Sequence, residues 1–402
     1  MKGFTLVELI VAMAITLTIT AATLSLVGPA HDAFQTQPET ADLQQRARVG
    51  IDALQRDLLM AGAGMYAAGS VGPLHQVLAP VMPYRAFGNS PDTARGVFFR
   101  TDAISLLFVP STASQTRLAA PMTAGALDIV IENPATCPAA SASQMCGFAS
   151  GDQLLVFDRA SEWGVFSVDR VGGGATMTLK GTPPARRFDV QANVTEARAV
   201  MYSLRADAAS GAFQLVRADG FDPAQPVLDH IVKLEFRYFG EPEPPRVLDE
   251  IEMPLRASYG PAPPPLEQPL PGWPAGENCT FALADGRYQT RLTTIGSPGT
   301  LVEIAPTLLT DGPWCPDAGA PNRFDADLLR IRRVRFTIRV QTALQSLRGP
   351  AGVLFTNGGL ARAGGRYVPD LEIELDVTPR NLNLGPGTWN QEPGTRNQEP
   401  GT

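Results

Sequence analysis

The sequence predicts an α+β fold: one long N-terminal helix whose second half packs on a large antiparallel β-rich head. Three observations carry this. The chain opens on an almost uninterrupted apolar run as far as Val27. From there to Gly62, apolar residues recur at steps of three and four. Beyond residue 63 the apolar period drops to two, and turn residues break it into short segments.

The opening run is apolar or Ser/Thr from Leu9 to Val27, with no Gly or Pro before Gly28-Pro29. At about 1.5 Å of rise per residue, residues 4–27 form a helix long enough to cross a bilayer's hydrocarbon core. Lys2 alone precedes the run among basic residues, which points to a cytoplasmic N-terminus. Glu8 is the anomaly. A charge in hydrocarbon costs at least about 2.5–3.5 kcal/mol, so a carboxylate there calls for a functional reason.

A break is expected at Gly28-Pro29 and Pro38, followed by an amphipathic helix over 40–61. Leu43, Ala47, Ile51, Leu54, Leu58 and Ala61 form its apolar face, and Gln, Arg and Asp fill the rest. Thr40 is its expected N-cap, with Gly62 and Gly64 as stops. Strands are expected at 97–109, 127–132, 153–158, 165–171, 199–205, 213–217, 231–239, 334–341 and 371–377. In RRVRFTIRVQ, Val334, Phe336, Ile338 and Val340 face one way and Arg333, Arg335 and Arg339 the other. DLEIELDV offers Glu372, Glu374 and Asp376 on its polar face, so the arginine strand is expected beside a strand of acids. Between Pro242 and Pro274 the chain is proline-dense and reads as a polyproline-like surface excursion. The tail, 385–402, repeats PGTWNQE and PGTRNQE with no apolar face and is expected to be a disordered appendage.

With 36 prolines in 402 residues, the composition argues against an all-helical body and for strands joined by many turns. A net charge of −7 gives no support for nucleic-acid binding. Catalysis and cofactors are not expected. His31, His75 and His230 stand far apart, and H-E-x-x-H, P-loop and G-x-S-x-G patterns are absent. Asp311, Asp317, Asp325 and Asp327 crowd one acidic loop whose spacing fits no EF-hand. They read as solvated turn acids, with calcium as the sharper alternative. Cysteines occur as Cys137 with Cys146 and Cys279 with Cys315. An even number behind a membrane segment suggests two disulfides in an oxidising compartment. Proximity pairs Cys137 with Cys146 and Cys279 with Cys315, although four cysteines allow three connectivities.

Two plain accounts exist for the first thirty residues: a secretory signal cut after Ala30, or a simple signal anchor. Neither explains Glu8 or the Gly3-Phe4 junction. GFTLVELIVAMAI closely resembles the type III signal of type IV pilins and type II secretion pseudopilins. The resemblance implies that a prepilin peptidase cuts after Gly3 and methylates the new amine of Phe4. Residues 1–3 would then be the leader, with Glu8 at the fifth mature position. There a carboxylate can reach the amine of a neighbouring helix and set register between subunits.

Weaker similarities run through the body. RARVGIDALQRDLLMAGAGM, GDQLLVFD, the arginine strand and VPDLEIELDVTPRNLNL resemble PilW-like minor pilins. Ser25 departs from the kinking proline of many pilins, and residues from about 240 to 325 look like an insertion in the 63–384 head. The resemblance implies a structural minor pilin that primes or tips a type IV pilus. A minor pseudopilin of a type II secretion system carries the same signal, and a membrane-anchored adhesin is the reading of another class. Implied partners are other pilin subunits, the prepilin peptidase, the pilus assembly platform and the inner membrane, with the head in the periplasm.

Overall fold

A computed structural model describes residues 5–65, 78–88, 91–92, 99–111, 114–135, 137, 144–158, 162–208, 211–242, 281–284, 287–290, 301–311, 314–315, 323–361 and 367–382. Helix α1 runs without interruption from Leu6 to Met60, 55 residues, and passes through Gly28, Pro29 and Pro38. The expected break is therefore absent. Thr40 is no cap: its hydroxyl donates to the Thr36 carbonyl at 2.8 Å, inside the helix. A proline removes one N–H and crowds one carbonyl, whereas a true break would orphan four donors and four acceptors. With a strong helical pattern on both sides, continuation is the smaller loss.

The head is built on two antiparallel sheets, with strands numbered in chain order. In sheet 1 the order is β1 (Val81–Met82), β2 (Ala103–Phe108), β11 (Arg198–Ala206), β12 (Phe213–Asp219), β13 (Gln225–Gly240), β19 (Ile331–Val340) and β20 (Leu371–Val377). A short strand, β16 (Val302–Glu303), also pairs with β13. Sheet 2 has the order β3 (Gln115–Arg117), β10 (Asn193–Glu196), β7 (Gln153–Phe157), β8 (Trp163–Val171), β9 (Thr176–Lys180) and β4 (Asp128–Val130). Small hairpins pair β5 (Gln144–Met145) with β6 (Phe148–Ala149), β14 (Phe281–Ala284) with β15 (Arg287–Thr290), and β17 (Trp314–Cys315) with β18 (Phe324–Asp325). Every segment expected to be a strand contains one. Of the segment expected at 97–109, residues 97–98 lie outside the described residues and the strand is Ala103–Phe108, while β13 extends further at its start than the alternation implied.

The main core lies between α1 and sheet 1. Leu43, Ala47, Ile51, Leu54 and Leu58 are buried there in one cluster with Leu228, Ile231, Phe336 and Ile338. Gly50 allows the helix close to β13, since a Cβ there would stand 2.9 Å from a Leu228 methyl. Sheet 2 is apolar on both faces. Leu155 and Phe157 of β7 join the main core, while Leu154 and Val156 enter a second core with Phe166, Leu179 and Val194. That is why QLLVF is a continuous apolar run rather than an alternating one.

Register explains the arginine strand. β19 lies between β13 and β20, and Arg335 stands opposite Asp376, Thr337 opposite Glu374 and Arg339 opposite Glu372. Arg335 donates two hydrogen bonds to Asp376 at 2.8 Å each, and these hold the exposed carboxyl below the usual carboxylate range. Arg333, Arg335 and Arg237 surround the Phe239 ring at 4.6, 5.1 and 5.9 Å. The opposite face of β19, Val334, Phe336, Ile338 and Val340, is sealed in the main core.

Polar contacts fix how α1 sits. Near its end, Asp57 Oδ2 accepts from the Tyr202 hydroxyl at 2.7 Å and from Arg217 Nε at 2.8 Å. Further back, Glu39 Oε2 accepts from the Thr342 hydroxyl at 2.7 Å. Asp57→Ala leaves a half-buried guanidinium and a buried phenol without their acceptor, and should destabilise the protein by about 1–3 kcal/mol in urea unfolding. Asp57→Asn, which keeps an acceptor, should lose less. Equal urea midpoints for wild type and Asp57→Ala would show that apolar contact alone docks the helix.

Asp92 provides a pH-dependent element. Burial pushes its carboxyl up, but hydrogen bonds from the side chain and backbone of Arg85 outweigh that and leave its pKa lowered. A depressed folded pKa means that this stability is present above the unfolded value, about 3.9, and lost as pH falls below it. Asp92→Asn should therefore flatten the acid limb of the stability curve below about pH 4. An unchanged limb would remove this assignment.

Candidate functional site

The candidate site is the free half of α1. Thr5, with φ −84° and ψ 149°, caps the helix, and its hydroxyl accepts from the Glu8 N–H at 3.3 Å. In return, Glu8 Oε2 accepts from the Thr5 backbone N–H and from the Thr5 hydroxyl, both at 2.9 Å. This is a reciprocal capping box, in which each residue satisfies a backbone donor that the first turn leaves open. Glu8 also places a negative charge at the positive end of the helix dipole. Gly3 and Phe4, the expected cleavage and methylation positions, lie outside the described residues.

From Leu6 to Ser25 the helix has a mean hydropathy of 2.0 and none of it is buried. Leu6, Val7, Leu17, Ile19 and Leu24 are more than half exposed. The hydroxyls on this stretch turn inward. Thr16, Thr20 and Thr23 donate to carbonyls four residues back, and Thr18 and Ser25 to carbonyls three back, at 2.7–2.8 Å. Apart from Glu8, the segment's polar side chains are thus satisfied within the helix, which suits an apolar surround. Among the described residues nothing covers this surface, which is consistent with a membrane anchor. Its length is enough to span a bilayer.

The other sequence candidates resolve differently. Cys137 and Cys146 form a disulfide, Cα–Cα 4.6 Å, beside the β5–β6 hairpin. Cys315 is also disulfide-bonded, and Cys279 lies outside the described residues. Asp311, Asp325 and Asp327 bring ligand atoms within 4.8 Å of one another, while Asp317 is outside the described residues. Asp325 and Asp327 are buried rather than solvated, which corrects the expectation of surface turn acids. Sequence reasoning missed what holds them. Asp325 Oδ1 caps the Asp327 N–H at 2.8 Å, and Arg330 Nη1 stands 3.4 Å from Asp327 Oδ1. Arg330 is itself anchored to the Glu241 and Pro242 carbonyls. Of the histidines, His230 sits at φ 57° within β13, and His75 is outside the described residues.

Comparison with known proteins agrees with this reading of the N-terminus. A family model described as the prokaryotic N-terminal methylation motif matches residues 1–24. No curated protein and no solved structure matches the chain. The chain thus carries a prepilin-type signal on an apolar N-terminal helix, the mark of a pilin-like or pseudopilin-like substrate of prepilin peptidase.

Proposed function

We propose that the protein is a minor prepilin, anchored in the inner membrane by residues 4–27 and incorporated at low abundance into a type IV pilus, where it primes assembly or sits at the tip. Its role is structural rather than enzymatic. The observation that carries the proposal is the free half of α1: a twenty-residue span, Leu6–Ser25, of mean hydropathy 2.0 within a matched methylation motif, with no cover from the described part of the head. Such a helix is stable alone only in lipid. When drawn out of the bilayer it must be re-covered by the same half of neighbouring subunits. The PilW-like features of the head favour a pilus. A minor pseudopilin would present the same signal and helix, and the genes beside this one, for pilus retraction or for secretion, separate the two.

Glu8 gains a definite part in this transfer. In the single chain its carboxylate is held by Thr5. In the filament it exchanges that partner for the methylated amine of a neighbour's Phe4. Two groups that are each expensive in an apolar medium then offset one another and fix the axial register.

Glu8→Val should be processed normally yet be largely lost from sheared filaments on immunoblotting. Glu8→Gln keeps an acceptor for the cap but no charge, and should fall between Glu8→Val and wild type. Wild-type levels of Glu8→Val in filaments would remove the register role. A bulky residue at Gly3 should leave the precursor uncut in the membrane, whereas efficient cleavage would contradict a prepilin signal.

A further inference from the structure

In sheet 2, β10 lies between β3 and β7, and its side chains divide between the two faces of the sheet. Val194 turns into the second core. Asn193 and Thr195 share the other face with Leu155 and Phe157 of β7, which enter the main core. On their other flank they stand opposite Arg117 and Gln115 of β3. This face is thus apolar on β7 and turns polar towards β3, at the end of the sheet. Asn193 is 6% exposed and Thr195 3%. Leu or Val at these places would extend the main core, so a buried carboxamide and hydroxyl here cost stability.

The polar end of this face is the floor of a pocket of about 280 Å³. Its wall is the segment after β4, which is tied to β3. The Glu132 N–H donates to the Arg117 carbonyl at 2.8 Å, and the Thr116 hydroxyl donates to the Glu132 carbonyl at 2.7 Å. Beside the pocket, Gln191 accepts from Arg117 Nη1 at 3.1 Å and donates to Glu132 Oε1 at 2.5 Å. The Asn193 side chain is different. Its Nδ2 is buried and meets no acceptor among the described residues. Folded chains rarely leave a buried donor unpaired, because it has given up its water and gained nothing in return. Where a local rule is broken in this way, a ligand that supplies the missing partner is the physical reason to look for.

The lining decides the chemistry of that ligand. Sites for drug-sized molecules run from about 300 to 1,000 Å³, so this one suits something smaller. Among the described residues one guanidinium and one carboxylate line it, and Gln191 bridges them, so no net charge is left to draw in an ion. The rest of its polar lining includes the carboxamides of Gln115 and Asn193 and the hydroxyl of Thr195, groups that both donate and accept. Ligand hydroxyls answer such a lining, because they too donate and accept. We propose that this pocket binds an uncharged, hydroxyl-rich ring, a single sugar unit. The Asn193 carboxamide is the main anchor, turning about its soft χ2 to bring Nδ2 to a ring or hydroxyl oxygen. Glu132 accepts from a neighbouring hydroxyl, and Pro134 and Phe157 give the pocket its apolar side, against the C–H face of the ring. The site uses no residue of α1 and does not depend on membrane anchoring.

The test uses the full chain in micelles of a detergent without a sugar headgroup. Saturation-transfer difference NMR is run against glucose, galactose, mannose and N-acetylglucosamine, each as the free sugar and as its methyl glycoside. The glycoside stands for a ring at the end of a glycan, so the stronger signal of the pair tells a glycan from a free sugar. At least one of these probes should give a signal that is lost in Asn193→Leu and weakened in Gln115→Trp, which sets an indole at an exposed position of the lining. High salt, inorganic phosphate and acetate should leave that signal unchanged. Asn193→Leu should also melt no lower than wild type, because it removes an unsatisfied donor, whereas a purely structural Asn193 would lower the Tm. No signal from any probe, or a signal that survives both substitutions, overturns the proposal. Displacement by phosphate or acetate makes the pocket an anion site and overturns it too. If Asn193→Leu does not fold, Gln115→Trp decides, and an undiminished signal there is fatal.

Discussion

The docking of residues 43–58 of α1 onto sheet 1 is the contact on which the rest of the structure depends. It completes the main core, in which the helix stripe and Leu228, Phe336 and Ile338 are buried together. It also fixes the direction of everything outside the head, since α1 is one uninterrupted helix and the part beyond the head continues that axis. The same helix therefore works in two surroundings. Its last third is amphipathic and faces protein, while its first third is apolar apart from Glu8 and a few hydroxyls and is covered by none of the described residues. Asp57 and Glu39 add directional bonds at two points along the docked part, so the helix is held against both rotation and sliding.

This arrangement turns Glu8 from an anomaly into a component. A carboxylate mid-membrane would be hard to tolerate, but one at the first turn can close a capping box and interact with the helix dipole. Its partners there are the Thr5 N–H and hydroxyl, which in the proposed function give way to a neighbour's cationic amine. In the proposed function the head's part is to keep the apolar half projecting.

Much of the fold was legible because period and burial coincide. The steps Leu43, Ala47, Ile51, Leu54 and Leu58 are the buried stripe, and the alternation in RRVRFTIRVQ and DLEIELDV matches the sealed and solvated faces of β19 and β20. What escaped notice has physical reasons. β3, β9 and β10 are short and rich in Thr, Gln and Asn, so their alternation is faint. The grouping of sheet 2 against both cores depends on long-range pairing that no local pattern encodes. Pro29 and Pro38 misled because local preference was outweighed by the helical segments flanking them. Asp325 and Asp327 were misread as solvated because tertiary burial, with Arg330 beside Asp327 and Asp325 capping the Asp327 N–H, is not encoded in their local pattern. The N-terminal site itself was readable residue by residue, as its meaning lies in a contiguous motif. The capping partner Thr5 was not singled out, although the Thr5–Glu8 spacing is that of a capping box.

The central claim is that α1 remains whole in the mature protein and begins at a processed, methylated residue. Mass spectrometry of the N-terminal peptide from cells with and without prepilin peptidase tests it most directly. The account predicts a terminus at Phe4 carrying one added methyl group when the peptidase is present, and a terminus at Met1 when it is absent. A mature chain beginning near His31, with the apolar helix removed in both strains, would contradict it.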